Sequence, residues 1–348
     1  MSLQEHVRCM KSEPIRVGVV GCGRVAQDHL QAYQRLEEAR LVAVADINEG
    51  QARSVAAQFG ATPHTDWQRM IERERVEAIS VCTPPSTHAE IMLHAIGQGV
   101  HVLCEKPLTL RLEDAKKVFQ AVQRTPLVLM MASKFRFVED LVKTKGVIDS
   151  GILGHLVLFE NVFCSRVDMR NRWNAKKEIA GGGVLFDNGT HSVDIARFLL
   201  GPIVTVQAQH GIQVQGIEVE DTCRMYFQNQ RGVMGTVDVS WSIHKDTESY
   251  INLYGTEGSL SLGWRESKYR QHEKLHWVVF GEGYNKQKAF LNQARHFLQC
   301  VRGQESPLIT PRDGLESVRV IEAAYRSAEV NKWMALEPLD EEVGILAS

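Results

Sequence analysis

Lys106, Asp187 and His191 are the side chains of this sequence best suited to move a proton. Lys106 stands in Glu105-Lys106-Pro107, directly after an apolar stretch that reads as a buried strand. An ammonium there can hydrogen-bond a substrate hydroxyl or carbonyl and stabilise a developing alkoxide, with Glu105 placed to orient or neutralise it. An isolated Glu-Lys-Pro would read as a surface lysine beside a turn proline; the strand-end position favours chemistry. Asp187 and His191 follow Gly181-Gly182-Gly183, and with Asp194 they fall at i, i+4 and i+7 on one helix face. A histidine with a carboxylate one turn away on each side is a base whose pKa is poised near working pH. The same spacing suits a capped helix with a polar stripe equally well. Metal binding through His191 and a carboxylate is the lesser use, because no third ligand has recognisable spacing.

A second pattern provides for a dinucleotide. The apolar run Val17-Gly18-Val19-Val20 breaks into Gly21-Cys22-Gly23-Arg24-Val25-Ala26, and a helical pattern follows. The first glycine permits a tight turn, the second lets backbone amides reach phosphates, and the small last residue lets the helix pack closely, its positive end facing the anion. Twenty residues on, the strand 41–45 ends in Asp46. A carboxylate there binds both ribose hydroxyls of NAD and repels a 2′-phosphate, although Arg53 leaves NADP open. A plain βαβ unit with an acidic helix cap is the alternative.

These groups need a scaffold that brings them together. Through the first half, strands at 78–82, 101–104 and 127–131 alternate with helices at 50–59, 67–74, 87–98 and 111–124. Such alternation predicts a doubly wound parallel sheet. Gly21, Asp46, Thr83 and Lys106 all follow strand ends, so they should gather along one sheet edge. The second half predicts an α+β domain on a mostly antiparallel open sheet. Its strands are expected at 155–164, 204–215, 223–228, 233–243, 250–254 and 275–280, and its helices at 184–200, 287–302 and 314–330. The expected division is an N-terminal arm (1–13), a Rossmann domain (14–135) and a substrate-binding and oligomerisation domain (136–348).

Composition narrows the function classes. With 40 basic and 42 acidic residues the net charge is −2, which favours neither nucleic acid nor an anionic membrane. No apolar run has the length of a bilayer span, and residues 1–13 lack the apolar core of a signal peptide. Seven cysteines without any Cys-x-x-Cys pair suggest neither a zinc site nor a disulfide framework, so a cytoplasmic protein is expected.

Taken in order, Gly21-Cys22-Gly23-Arg24-Val25-Ala26, Thr83-Pro84-Pro85 with His88, Glu105-Lys106-Pro107, and Gly181-Gly182-Gly183 leading to Asp187 and His191 resemble the glucose–fructose oxidoreductase/inositol dehydrogenase (Gfo/Idh/MocA) family. Thr310-Pro311-Arg312-Asp313-Gly314 and the helix around Tyr325 also look like that family's last helix. The likeness runs from Ile15 to about Leu336. It implies NAD(P)-dependent hydride transfer at a sugar or cyclitol carbon, and a homo-dimer or homo-tetramer formed through the C-terminal sheet. Lys106 then matches the catalytic lysine, His191 the acid–base residue and Asp187 the carboxylate that supports it. Cofactor contacts are expected from Gly21, Gly23, Arg24, Val25, Asp46, Thr83, Pro84, His88 and Glu105. Pro107 matches a proline whose preceding peptide is often cis in relatives. The sequence departs from the pattern at Arg136-Phe137-Val138-Glu139, where a proline is usual at the last position, and at Asn188, where an apolar residue is common.

Substrate identity is less legible. Arg166, Arg170, Arg172, Lys176 and Lys177 stand against Asp168 alone, just before the glycine triplet. Such a loop either binds a carboxylate or phosphate or is simply solvated. Arg172, Trp173 and Asn188 are therefore expected, with Lys106 and His191, to touch substrate; Trp173 and Asn174 could stack on and hydrogen-bond a sugar ring. Two rival readings stand beside the NAD-dependent dehydrogenase: a keto-sugar or imine reductase using NADPH, and a non-catalytic nucleotide sensor. A sensor would need none of Lys106, Asp187 and His191.

Overall fold

The first strand, β1 (Ile15–Val20), is apolar on both faces, so both must be covered. The computed structural model of the chain, which describes residues 13–274, 276–337 and 339, covers them with helices. Helix α1 (Arg24–Gln34) buries Ala26, His29, Leu30 and Tyr33, three or four residues apart, against the sheet. The unit repeats as β2 (Ala39–Ala45), α2 (Glu49–Phe59), β3 (Thr62–His64), α3 (Trp67–Arg73), β4 (Ala78–Val81), α4 (His88–Gly97), β5 (His101–Glu105), α5 (Leu112–Gln123) and β6 (Leu129–Ala132). Helix α2 stops at Gly60, whose φ of 70° is the left-handed conformation that ends helices. The six strands are parallel, in the order β3-β2-β1-β4-β5-β6. The winding reverses between β1 and β4, where such sheets open a crevice for ligands.

The second half begins with α6 (Glu139–Asp149), which sequence reading missed because Asp140 and Thr144 are buried beside Leu141 in place of an apolar stripe. There follow β7 (Leu156–Cys164), α7 (Lys177–Ala180), α8 (Thr190–Leu200), β8 (Ile203–His210), β9 (Thr222–Asn229), β10 (Met234–Ser240), β11 (Ser249–Gly255), β12 (Gly258–Gly263), β13 (Ser267–Gln271), β14 (Val278–Gly281), α9 (Lys286–Val301), α10 (Pro311–Val330) and β15 (Met334–Ala335). The nine strands form one sheet, β14-β13-β12-β11-β7-β10-β9-β8-β15, antiparallel except where β10 lies parallel to β7. Cys223, Met225 and Phe227 of β9 face inward and pack with Val193, Leu199, Ile321 and Ala324 of α8 and α10. The opposite face is open and carries Leu158, Met234, Tyr254 and Trp333 at the surface.

Some strand bounds differ from expectation. The strand expected at 204–215 ends at His210, because Val214 and Gln215 turn to donate their backbone N–H groups to Asp221 Oδ2, both at 2.8 Å. The one expected at 233–243 ends at Ser240. Strands β12 and β13 were not foreseen, since one is flanked by glycines and the other is Ser-Lys-Tyr-Arg-Gln, without an apolar run. Leu275, the expected start of the last strand, lies outside the described residues, and β14 begins at Val278. The expected N-terminal arm is also outside them, except for Glu13. Phe290, Phe297 and Leu315 of α9 and α10 join the core of the first sheet, so the chain's last helices return to the nucleotide half.

Candidate active site

A cleft of about 500 Å³ opens along the edge where β1, β4, β5 and β6 end. Its nucleotide end is built by backbone. Gly21 has φ +90°, and a Cβ there would lie 2.7 Å from the carbonyl of Cys82, so a side chain would collide with the neighbouring strand end. A Cβ on Gly23 would meet nothing within 4 Å, so its backbone faces open space at the start of α1. Gly23, Arg24, Val25, Thr83 and Pro85 line the cleft. Asp46 accepts a hydrogen bond from Cys22 N–H at 2.8 Å, which fixes a carboxylate beside the glycine turn. A clear helix N-terminus with an anchored acid fits the pyrophosphate and ribose of NAD. Pro84 and His88, expected at the cofactor, are not among the residues that line the cleft. In place of Pro84, its neighbour Pro85 does so. His88 is fully buried, with Nδ1 2.9 Å from the Pro107 carbonyl and Nε2 2.9 Å from that of Thr83, so it ties two loops together behind the cleft.

At the end of β5 the Lys106–Pro107 peptide is cis. The Lys106 ammonium forms an ion pair with Asp187 and also donates to the Asp187 carbonyl at 3.1 Å. Glu105 does not neutralise it directly. That carboxylate accepts from His29 at 2.9 Å, and His29 reaches Ser80 at 3.1 Å, which meets Tyr33 at 2.8 Å. Burial alone would raise the Glu105 pKa, but the hydrogen bond and charge of His29 and the ammoniums of Lys106 and Lys134 outweigh it and hold it below the usual value.

The glycine triplet does allow close approach, but by the protein's own groups. A Cβ on Gly182 would lie 2.0 Å from the Tyr325 hydroxyl, and one on Gly183 would lie 1.9 Å from the Glu220 carbonyl. The Glu220 carboxylate accepts from the N–H groups of Gly183 and Leu185, and from Tyr325 at 2.7 Å. This carboxylate caps a π-helical turn, Leu185–Gly189, that precedes α8. The expected one-faced triad does not form. Asp187 turns to Lys106, whereas Asp194 is fully buried and accepts from Arg136 at 2.7 Å and Ser133 at 2.5 Å. His191 stands without either carboxylate. Its Nδ1 is buried with no hydrogen-bond partner, and its ring meets Phe135 edge-on with centroids 5.0 Å apart. Burial, followed by the positive charges of Lys106 and Lys134, pushes its pKa well below the ordinary value instead of holding it near neutrality.

The far wall was not legible in advance. Phe135, Phe163, Trp264, Tyr284 and Phe290 line it, with Lys134 and Lys286 among them. Phe135 stacks on Tyr284 at 5.2 Å and tilts against Phe163 at 5.0 Å. Lys286 pairs with Asp28 of α1 at 2.7 Å. From the basic loop, Trp173 and Asn174 enter the cleft, whereas Arg172 does not, and Arg170 is engaged with Asp168 at 2.7 Å on the surface. Asn188 lines the cleft and donates weakly to the Phe163 carbonyl at 3.4 Å. Among the described residues, no group of His, Cys, Asp and Glu could hold a metal ion, and no helix is long and apolar enough to cross a membrane.

Comparison with known proteins agrees with this arrangement. Residues 15–133 match an oxidoreductase family with an NAD-binding Rossmann fold, and residues 141–261 match the GFO/IDH/MocA C-terminal domain. The chain is 26% identical to D-apiose dehydrogenase of Paraburkholderia graminis over 95% of this chain and 92% of that one. It is 27% identical to scyllo-inositol 2-dehydrogenase (NAD(+)) of Bacillus subtilis, over 90% and 94% respectively. A solved levoglucosan dehydrogenase in complex with NADH has the same fold, with TM-score 0.87 at 23% identity, over 94% of this chain and 100% of that one. With both halves matched in order, the chain belongs to the Gfo/Idh/MocA family of NAD-dependent oxidoreductases.

Proposed function

We propose that this enzyme oxidises a secondary alcohol of a sugar, a cyclitol or a derivative of one. The observation that carries the reading is the meeting of Lys106 and His191 in one cleft beside the glycine turn of β1. NAD, when bound, supplies the hydride acceptor. Lys106 hydrogen-bonds the carbinol oxygen and stabilises the alkoxide as it forms. His191 is neutral at physiological pH, so its ring can accept the alcohol proton. Asp187 acts on Lys106, not on His191, and holds the ammonium in place until the substrate oxygen takes up a share of its hydrogen bonds. The aromatic wall, with Trp173, offers faces on which the C–H side of a sugar ring can rest.

Two coarser properties extend the reading. The open face of the nine-stranded sheet, with Leu158, Met234, Tyr254 and Trp333 exposed, supports assembly into a homo-oligomer through that face. The six described cysteines are all free, which supports a reducing, cytoplasmic setting. The test is NADH formation over a panel of sugars and cyclitols by the wild type, Lys106→Ala and His191→Ala. Each variant should lose about 10²- to 10⁴-fold in kcat while still binding NADH. Unimpaired turnover by either would refute the assignment.

A further inference from the structure

The charges that line the cleft have partners, apart from Arg24 and Lys134. Lys106 is matched by Asp187 and Lys286 by Asp28, while Glu105 is hydrogen-bonded by His29. Arg24, at the nucleotide end beside Gly23, has no ion-pair partner among the described residues but is exposed to solvent. Lys134, two residues past β6, has no carboxylate within ion-pair distance among the described residues. Its Nζ rests 5.4 Å from the centroid of Phe135 and 5.7 Å from that of Phe290. Aromatic faces attract a cation but do not neutralise it. A poorly solvated, unmatched ammonium is costly, so a binding partner that brings the missing negative charge gains more there than in water. The Lys134 ammonium is a single compact point charge between two aromatic rings, which the carboxylate of a substrate would match.

We propose that Lys134 anchors a carboxylate of the substrate, and that this enzyme selects a sugar acid, an aldonate or a uronate, over its neutral parent. The proposal rests on the dehydrogenase reading above and deepens it. It also relocates the anionic specificity foreseen for the basic loop, because Arg170 is engaged by Asp168 and Arg172 lies off the cleft.

The anchor has a pH signature. Lys134 is faced by Glu105 and Lys106 from the end of β5, by Asp187 and His191 around the π-helical turn, and by Lys286 with its partner Asp28 where α9 meets α1. Burial, then Lys106, lower its pKa to about 8 against the opposing pull of Glu105 and Asp187. Only the protonated amine attracts a carboxylate, so preference for acids should fall as pH rises through about 8. An arginine at this position would keep its charge and remove that fall.

The test uses the NAD-loaded enzyme and three matched pairs: D-glucuronate with D-glucose, D-galacturonate with D-galactose, and D-gluconate with sorbitol. The ratio of kcat/KM for acid over neutral partner should exceed about tenfold in the wild type and drop at least about 30-fold in Lys134→Met. Lys134→Arg should keep the ratio and lose the fall near pH 8. Because each ratio is internal to one variant, general damage to the fold cancels. If no pair is turned over, calorimetric titration of the same compounds into the NADH complex reads the same preference. A preference for neutral partners, or a ratio that Lys134→Met leaves unchanged, overturns the proposal. Acid binding that depends on Lys134 without any hydride transfer would instead sink the dehydrogenase reading and leave the anchor standing. Removing an uncompensated charge should also raise the melting temperature of ligand-free Lys134→Met; a fall would overturn the claim that the ammonium lacks a partner.

Discussion

The two ends of the cleft are made in different ways. The nucleotide end is a single local device: one strand, one turn and one helix start, with Gly21 and Gly23 within three residues of each other. The substrate end collects Lys106 from β5, Lys134 and Phe135 from behind β6, His191 from α8, and Trp264, Tyr284 and Lys286 from segments that follow β12 and β14. The first end presents a backbone turn with one anchored carboxylate, the second side chains brought together by tertiary packing. A backbone device should tolerate change outside its glycines, whereas an assembled wall should fail wherever its supports are moved.

The largest effect expected from that contrast is at Gly183. An added Cβ would lie 1.9 Å from the backbone carbonyl of Glu220, which is not the flexible end of a side chain. Gly183→Ala must therefore shift the π-helical turn that carries Asp187 and leads into His191. We expect about 3 kcal/mol of lost stability in denaturant unfolding and at least about 100-fold lower kcat, with affinity for NADH little changed. Loss of NADH binding in proportion to kcat would contradict the separation of the two ends.

Gly21 and Gly23 sharpen the comparison within the nucleotide end. Gly21→Ala forces a positive φ on alanine and a 2.7 Å contact with the Cys82 carbonyl, so stability should fall by about 2 kcal/mol along with cofactor affinity. Gly23 has φ −71° and open space beyond it, so Gly23→Ala should leave stability unchanged. Its methyl group would stand where the cofactor approaches, and the dissociation constant for NADH should rise about tenfold. Calorimetry and thermal unfolding on the two variants separate the turn from the docking surface.

The same contrast explains what the sequence could disclose. The glycine turn, Asp46, Lys106 and His191 are each marked by spacing over a few residues, and all lie on the cleft or beside its glycine turn. The alternation of strands and helices was likewise enough to predict the parallel sheet. The partner of each side chain was not legible. Asp187 was read with His191 because four residues separate them, but the π-helical turn and the reach of Lys106 across 81 positions decide otherwise. Asp194 answers to Arg136, 58 positions away, and the cap of the glycine triplet comes from Glu220, 37 positions on. Lys134 carried a usable signal: the strand-end rule that picked out Lys106 after β5 also selects the residues behind β6. Trp264 and Tyr284 carried none, since each is a lone aromatic in a loop.

A smaller effect is expected at Asp46, whose carboxylate is held by the N–H groups of Cys22 at 2.8 Å and Asn48 at 2.9 Å. Asp46→Asn keeps the size and removes the charge that repels a 2′-phosphate. The preference for NAD over NADP in kcat/KM should drop about tenfold, which corresponds to about 1.4 kcal/mol. An unchanged preference would show that discrimination lies elsewhere, with Arg53 and its partner Glu49 on α2 the first place to look.

The gentlest test titrates the two halves together. Burial lowers the pKa of His88 on the nucleotide side, and burial with Lys106 and Lys134 lowers that of His191 on the substrate side. Both folded values lie below the 6.5 of a free histidine, so as pH drops through 6.5 the unfolded chain takes up protons that the folded chain refuses. Stability must then fall with acid, by up to about 1.4 kcal/mol per pH unit for each histidine that stays neutral in the folded state. His191→Asn removes one of these groups and should flatten the slope of unfolding free energy between about pH 6.5 and 5, with no change above pH 7. An unaltered slope would mean that His191 takes up its proton in the folded state, beside Lys106 and Lys134. The neutral base assumed for alcohol oxidation would then have to be abandoned, while the nucleotide end would be untouched.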